Sequence, residues 1–255
     1  MTVGAGRAMT QTKQRTPRLF LERDLVGTSV KLDDREAHYL GHVLRLKRGD
    51  ELVAFNGRGT ERHARVSTLK RRNAELALGE ERAVQPGSTL ALTLVQSLAK
   101  AEAMDLVVQK ATELGVREIL PVYSDHSVVK LDSERRERRL EHWKRIAQSA
   151  CEQCGRHTPP HIAAPEVLPA CLARVDRDGN LLLALDPRSP MRLADLPAAT
   201  AVTFAVGPEG GFSSTDLDAL DAAGFRRVSL GQRVLRTETA AIAACAAAQA
   251  RWGDF

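Results

Sequence analysis

The sequence predicts an α/β protein in two parts, a small β-barrel over residues 17–85 and a larger domain of alternating strands and helices over 86–255. Three observations predict it. Up to about Glu81, short apolar runs are divided by turn residues, with one helical pattern among them. Beyond Gln85-Pro86-Gly87-Ser88, apolar runs of strand length alternate with amphipathic stretches of helix length. The charge divides at the same place: residues 1–85 hold 17 basic and 11 acidic side chains, residues 86–255 hold 20 and 21. A chain of 255 residues is long enough for each part to bury its own core.

Residues 1–16 are small and polar without periodicity and are expected to be a frayed tail. The barrel strands follow as RLFL from Arg18, ELVAFN running into the turn Asn56-Gly57-Arg58-Gly59, ERHARVSTL and AELALGE. The one helix begins at Asp33, which can cap it with Glu36 in a capping box. Ala37, Leu40, Val43 and Leu44 are its expected buried stripe, with His38, His42 and Arg45 on the polar face. In the second part the strand LALTLVQSL leads to a helix over about 100–114, with the stripe Met104, Val107, Val108 and Ala111 and a terminating Gly115. REILPVY, a charged helix over about 132–154, LLLAL (181–185), AVTFAV (201–206), a helix over 214–223 and RRVSLG (226–231) come next. Unbroken apolar strands of this kind suit a parallel sheet covered on both faces. The last helix, from Thr237 to Arg251, carries eight alanines after Thr239, which lets another helix or subunit approach closely.

Composition narrows the function. The net charge is +5, and 29 of the 37 basic residues are Arg, whose planar fork suits phosphates and base edges. Ten aromatic residues are too sparse for an extended base-stacking platform. No apolar run reaches the ~18–20 residues of a membrane span, and the N-terminus lacks the apolar core of a signal peptide, so a cytoplasmic protein without a membrane role is expected. Cys151, Cys154, Cys171 and Cys245 do not make a disulfide framework. Cys151-x-x-Cys154 is followed too closely by His157, with Pro159-Pro160 before His161, for four ligands to converge, so no metal is expected.

In such a sheet the ligand loops leave the carboxyl ends of the strands. Gly207-Pro208-Glu209-Gly210-Gly211-Phe212 follows AVTFAV, and its glycines permit close backbone approach. Neither GxGxxG nor GxxxxGK[ST] occurs, which removes the common dinucleotide and nucleoside-triphosphate loops. After the next strand, Leu230-Gly231-Gln232-Arg233-Val234-Leu235-Arg236-Thr237-Glu238-Thr239-Ala240 feeds two arginines into a helix N-terminus, a setting that favours an anionic or polar ligand.

These loops, with RLF (18–20), HYLGHVLRLKRGDELVAFNGRG (38–59), QKATELGVREILPVYSDHS (109–127) and EQCGR (152–156), stand in the order found in a known family. From Arg18 to Ala247 the chain resembles the bacterial 16S rRNA uridine-N3 methyltransferases, the RsmE family of the SPOUT (trefoil-knot) superfamily. An acidic residue usually follows GGFS there; here Asp216 is the nearest candidate. The resemblance implies a PUA-like β-barrel for RNA, a C-terminal knotted domain that binds S-adenosylmethionine (SAM), and a homodimer acting on 16S rRNA within the small ribosomal subunit.

By the same resemblance, SAM would lie against Leu185 and Asp186, against Gly207, Pro208, Glu209, Gly210 and Gly211, and against Leu230, Gly231, Val234, Leu235, Arg236, Thr237, Thr239 and Ala240. Methylation at N3 requires the Watson–Crick edge to be exposed and the imide charge to be stabilised as its proton leaves. Arg236 is the candidate for stabilisation, and Glu209 or Glu238 for accepting the proton. His126 and Arg156 are further pocket candidates; Arg18, His42, Arg45, Arg58, Lys100 and Arg156 are candidates for RNA. Two rival readings are a non-catalytic RNA-binding ribosome-assembly factor and a SPOUT methyltransferase acting on another RNA position.

Overall fold

In the computed structural model, residues 16–70, 73–127 and 132–255 are described; the expected tail lies outside them except for Thr16. The chain divides into two compact units, the first ending at Ala83 and the second beginning at Val84, with Gly57–Gly59 grouped with the second.

The first unit holds β1 (Arg18–Phe20), β2 (Ser29–Leu32), α1 (Asp34–His38), a π-helical turn (Tyr39–Val43), β3 (Glu51–Phe55), β4 (Glu61–Lys70) and β5 (Asn73–Arg82). The strands form one sheet in the order β1-β3-β4-β5-β2, antiparallel except for β1 beside β3, curled into a half-barrel around Leu19, Leu40, Leu52 and Leu76. β4 and β5 pair with two register shifts, irregularities of the kind that strengthen local twist. Asp33 caps α1 as expected: its side chain accepts the Glu36 N–H at 2.7 Å, and Glu36 Oε2 accepts the Asp33 N–H at 2.9 Å.

The expected stripe needs one correction. Ala37 and Leu40 are buried, but Val43 is 57% exposed. The Leu44 N–H reaches back five residues to the Tyr39 carbonyl, so the turn is wider than an α-helical one and the 3.6-residue period no longer carries Val43 inward. The turn leads to Arg45, whose φ of +55° is left-handed without the freedom of glycine.

The second unit runs β6 (Ala91–Ser97), α2 (Ala101–Glu113), β7 (Glu118–Tyr123), α3 (Ser133–Cys154), β8 (His161–Ile162), β9 (Glu166–Val167), α4 (Leu168–Leu172), β10 (Asn180–Leu185), a 3-10 turn (Leu193–Asp195), β11 (Ala201–Val206), α5 (Ser214–Ala222), β12 (Arg226–Val228) and α6 (Thr237–Trp252). Its strands make one parallel sheet in the order β12-β10-β11-β6-β7-β8, with β9 also beside β7. Alternation sorts the apolar side chains onto two covered faces. Leu92, Leu94, Val202 and Phe204 pack with Met104, Trp143 and Ala244 from α2, α3 and α6; Val95, Ala205 and Leu182 pack with Leu172 and Leu220 from α4 and α5.

The alanines of α6 serve this packing, since Ala241, Ala244 and Ala248 are buried in the first of these clusters. At the far end of the helix, Gln249 Nε2 donates to the Leu114 carbonyl at 2.8 Å, and its Oε1 accepts from Ser88 Oγ at 2.8 Å. Cys151 and Cys154 close α3 without forming a disulfide, and among the described residues no group of three His, Cys, Asp or Glu is placed to hold a metal ion.

Candidate active site

The carboxyl ends of β10, β11 and β12 deliver three segments to one open cleft. From the first segment come Leu185, Asp186 and Pro187; from the second Val206, Gly207, Pro208, Glu209 and Gly211; from the third Ser229, Leu230, Gly231, Arg233, Val234, Leu235, Thr237 and Ala240. Of the residues expected around a cofactor, only Gly210, Arg236 and Thr239 do not line it. Gly210 lines an adjoining cleft with His126, Arg188, Ser213 and Arg227, which also shares Asp186.

Glycine is required here for two different reasons. A Cβ on Gly207 would lie 3.0 Å from the Phe212 nitrogen and 3.1 Å from the Gly211 carbonyl carbon, both backbone atoms, so the loop closes on itself only without a side chain. Gly211 and Gly231 have φ of +72° and +110° and would meet nothing within 4 Å; they leave open space where a side chain would intrude.

The loop is held from several sides. Thr237 Oγ1 donates to the Gly207 carbonyl at 2.6 Å and accepts from Gln96 Nε2 at 3.0 Å. Glu209 Oε1 accepts the Lys100 N–H at 3.1 Å, and His126 Nδ1 lies 3.1 Å from the Gly211 carbonyl oxygen. Asp216 is buried at the third position of α5, where it closes a capping box with Ser213 and accepts the Asp125 N–H at 3.2 Å. The acidic residue after GGFS thus ties the loop following β7 to α5.

The electrostatics are uneven. Burial alone would raise the Asp186 carboxyl; the side-chain and backbone hydrogen bonds of Arg188, with the charges of Arg188 and Arg227, outweigh it and hold the group below the usual carboxylate range. Arg236 precedes the first turn of α6, is exposed, and has no side-chain partner among the described residues; the same is true of Arg233. Glu238 lies half-buried in that first turn, also without a side-chain partner among the described residues.

Two basic residues expected on RNA are placed otherwise. Arg18 is buried, paired through two hydrogen bonds with Glu61 at 2.6 and 3.1 Å and lying 4.4 Å above the Phe55 ring. Arg156 donates to the carbonyls of Thr112 at 3.1 Å and Val116 at 2.6 Å, at the amino end of β7 and away from the cleft; burial pushes its guanidinium down. His42 and Arg45 are exposed, and His42 stacks on His38 with ring centroids 4.3 Å apart beside a groove that includes Asp34, Leu69 and Lys70. Arg58 lies exposed in its turn, and Lys100 precedes α2 at the carboxyl end of β6.

Sequence reasoning missed Pro187, Val206, Val228 and Ser229 at the cleft and Gln96 beneath it. The first four lie within two residues of ones that were expected; Gln96 gave no local signal, since its partner Thr237 is 141 residues away.

Residues 86–249 match the RNA methyltransferase domain family, and residues 32–78 match the RNA methyltransferase PUA domain family. The ribosomal RNA small subunit methyltransferase E of Buchnera aphidicola subsp. Schizaphis graminum is 31% identical over 95% of this chain and 99% of its own length. That of Synechocystis is 32% identical over 87% of this chain and 73% of its own. Among solved structures, the Neisseria gonorrhoeae ribosomal RNA small subunit methyltransferase E bound to S-adenosyl methionine is similar with a TM-score of 0.87 at 37% identity, covering 94% of this chain and 99% of that one. A putative methyltransferase of Legionella pneumophila with bound SAM is similar with a TM-score of 0.90 at 34% identity, covering 94% and 100%.

Proposed function

The chain belongs to the ribosomal RNA small subunit methyltransferase E family, and from that premise we propose that it transfers the methyl group of SAM to N3 of a uridine in the 16S rRNA of the small ribosomal subunit. The fold is an N-terminal PUA half-barrel followed by a SPOUT-type α/β methyltransferase domain. The trefoil knot, a homodimer and a cytoplasmic setting belong to the same reading. No helix among the described residues is long and apolar enough to cross a membrane.

The observation that carries the proposal is the meeting of the Gly207–Gly211 loop with the Leu230–Thr237 segment at one cleft. Its residues fit SAM: the half-buried Leu185 and Leu235 offer apolar surface for an adenine, and Gly211 and Gly231 leave room for close backbone contact. When bound there, SAM supplies an electrophilic methyl group. The chain supplies the rest. Gly207, Leu230 and Leu235 hold the adenosine; Arg236, free of partners in the described chain, stabilises the negative charge that develops on the uridine imide. Glu238, without a side-chain partner among the described residues, is the carboxylate we propose to accept the N3 proton, and Glu209, which already accepts the Lys100 N–H, is assigned to holding its loop. On RNA, His42, Arg45, Arg58 and Lys100 remain the contacts we propose, and Arg18 and Arg156 are assigned to structure.

Calorimetric titration with SAM, paired with methylation of isolated small subunits and mass mapping of the product, tests the reading. The expected result is micromolar binding, about −8 kcal/mol, abolished by Gly207→Ala, and one 3-methyluridine in 16S rRNA. Absence of SAM binding favours the RNA-binding assembly factor; a methyl group elsewhere reassigns the target.

A further inference from the structure

We propose that Gln96 is a positioning residue of the cofactor cleft, holding the glycine-rich loop against the start of α6 through Thr237. The proposal rests on the reading of the cleft as the SAM site. Gln96 is the penultimate residue of β6 and is fully buried, on the face that alternation otherwise gives to Leu92, Leu94 and Leu98. It is not among the residues that line the cleft; Thr237 and Gly207 are.

The direction of each hydrogen bond is forced. The Gly207 carbonyl can only accept, so the 2.6 Å contact uses the one hydroxyl hydrogen of Thr237. Thr237 Oγ1 is left as an acceptor for Gln96, and the Ser97 carbonyl also needs a donor at 3.0 Å. Both are served by the amide nitrogen of Gln96, which fixes the amide orientation and leaves Oε1 buried without a partner. A leucine at this position would match its neighbours and bury no unpaired oxygen. The amide is therefore unfavourable for packing and is offset by what its nitrogen does.

That nitrogen links three segments far apart in the chain: the end of β6, the first turn of α6 and the loop after β11. Without the donor, the Thr237 hydroxyl is no longer oriented from behind, and the Gly207 carbonyl loses its fixed reference. Since a Cβ at Gly207 has no room, the loop is a tight turn, and displacing that one carbonyl shifts the backbone that would contact the adenosine. Gln96 touches neither cofactor nor substrate on this account and acts only through Thr237.

The test uses the full-length protein and the variants Gln96→Leu, Thr237→Val, the double variant and Thr237→Ser, with SAM affinity read by calorimetry, Tm by scanning calorimetry, and KM for SAM and kcat by methyl transfer. Gln96→Leu and Thr237→Val are each expected to weaken SAM binding about 10-fold, the size of one lost hydrogen bond. The double variant is expected to bind no more weakly than the worse single one, because both remove the same relay. Thr237→Ser keeps the hydroxyl and is expected to bind SAM as the wild type does; in Gln96→Leu and Thr237→Val, KM for SAM rises while kcat stays within about twofold, since one hydrogen bond to a binding loop is lost and no transition-state contact. Should Gln96→Leu fail to fold, Gln96→Met keeps the unbranched shape without the donor and carries the same expectation. Unchanged SAM affinity in the Gln96 variants, losses that multiply in the double variant, or a fall in Tm alone overturns the proposal while the cofactor reading stands. A wild-type protein that binds no SAM overturns both.

Discussion

Glu209 accepts the backbone N–H of Lys100 at 3.1 Å, so the carboxylate inside the glycine-rich loop anchors that loop to the residue that precedes α2. A neutral amide oxygen can make the same bond. Glu209→Gln is therefore expected to keep SAM affinity and turnover within about twofold, while Glu209→Ala weakens SAM severalfold, the range of a hydrogen bond to a charged group. Loss of turnover with intact SAM binding in Glu209→Gln would instead make Glu209 the proton acceptor.

Arg236 is exposed and free of partners among the described residues, so its removal costs the fold little. Arg236→Ala is expected to leave Tm within about 1–2 °C and to lower kcat by about 10²–10³, the loss found when one charge-stabilising group is deleted. Arg236→Lys should recover part of that, because the charge is kept but the planar fork is lost. Single-turnover kinetics at saturating SAM measure it; unchanged turnover removes Arg236 from the chemistry.

Arg18 makes the opposite prediction. Replacing it with Ala leaves the Glu61 carboxylate buried and uncompensated, a loss of about 3–5 kcal/mol for the first unit, read by denaturant unfolding. RNA affinity of the fraction that remains folded is expected to be unchanged. Arg156→Ala should likewise affect unfolding and leave RNA affinity alone, since its donors are spent on the Thr112 and Val116 carbonyls.

The cysteines differ in reach. Burial pushes the Cys171 and Cys245 thiols up to about 12, and Cys151 is buried as well, whereas Cys154 is half-buried. At pH 8 a thiol reagent should label Cys154 in the native protein and the others only after unfolding. Because the unfolded chain releases these protons near its ordinary value of about 8.5 and the folded one does not, stability is expected to fall as pH rises from there towards about 12. Cys245→Ala should flatten that alkaline decline in Tm.

Much of this was legible in the sequence because the determinants are local. The Asp33 capping box, the alternation of apolar strands with helices, and two of the three segments that form the cleft all show in short stretches of sequence. Arg18 was misread because a basic residue beside a strand gives no sign of which way it points; its partner Glu61 is 43 residues on. Val43 was misread because the stripe assumes a 3.6-residue period that the π-helical turn breaks. Gln96 read as part of an apolar strand, and its meaning depends on Thr237, which only the parallel stacking of β6 beside β11 brings near.

Helix α6 is clamped at both ends. Thr237, its first residue, holds the loop and Gln96, while Gln249, near its last turn, is fixed to Leu114 and Ser88. A helix pinned in this way does not fray from its ends, and its alanines leave few side chains to loosen separately. Its amides should open to solvent exchange together, as one cooperative unit, so a ligand that slows exchange at the Thr237 end slows it along the helix to Gln249.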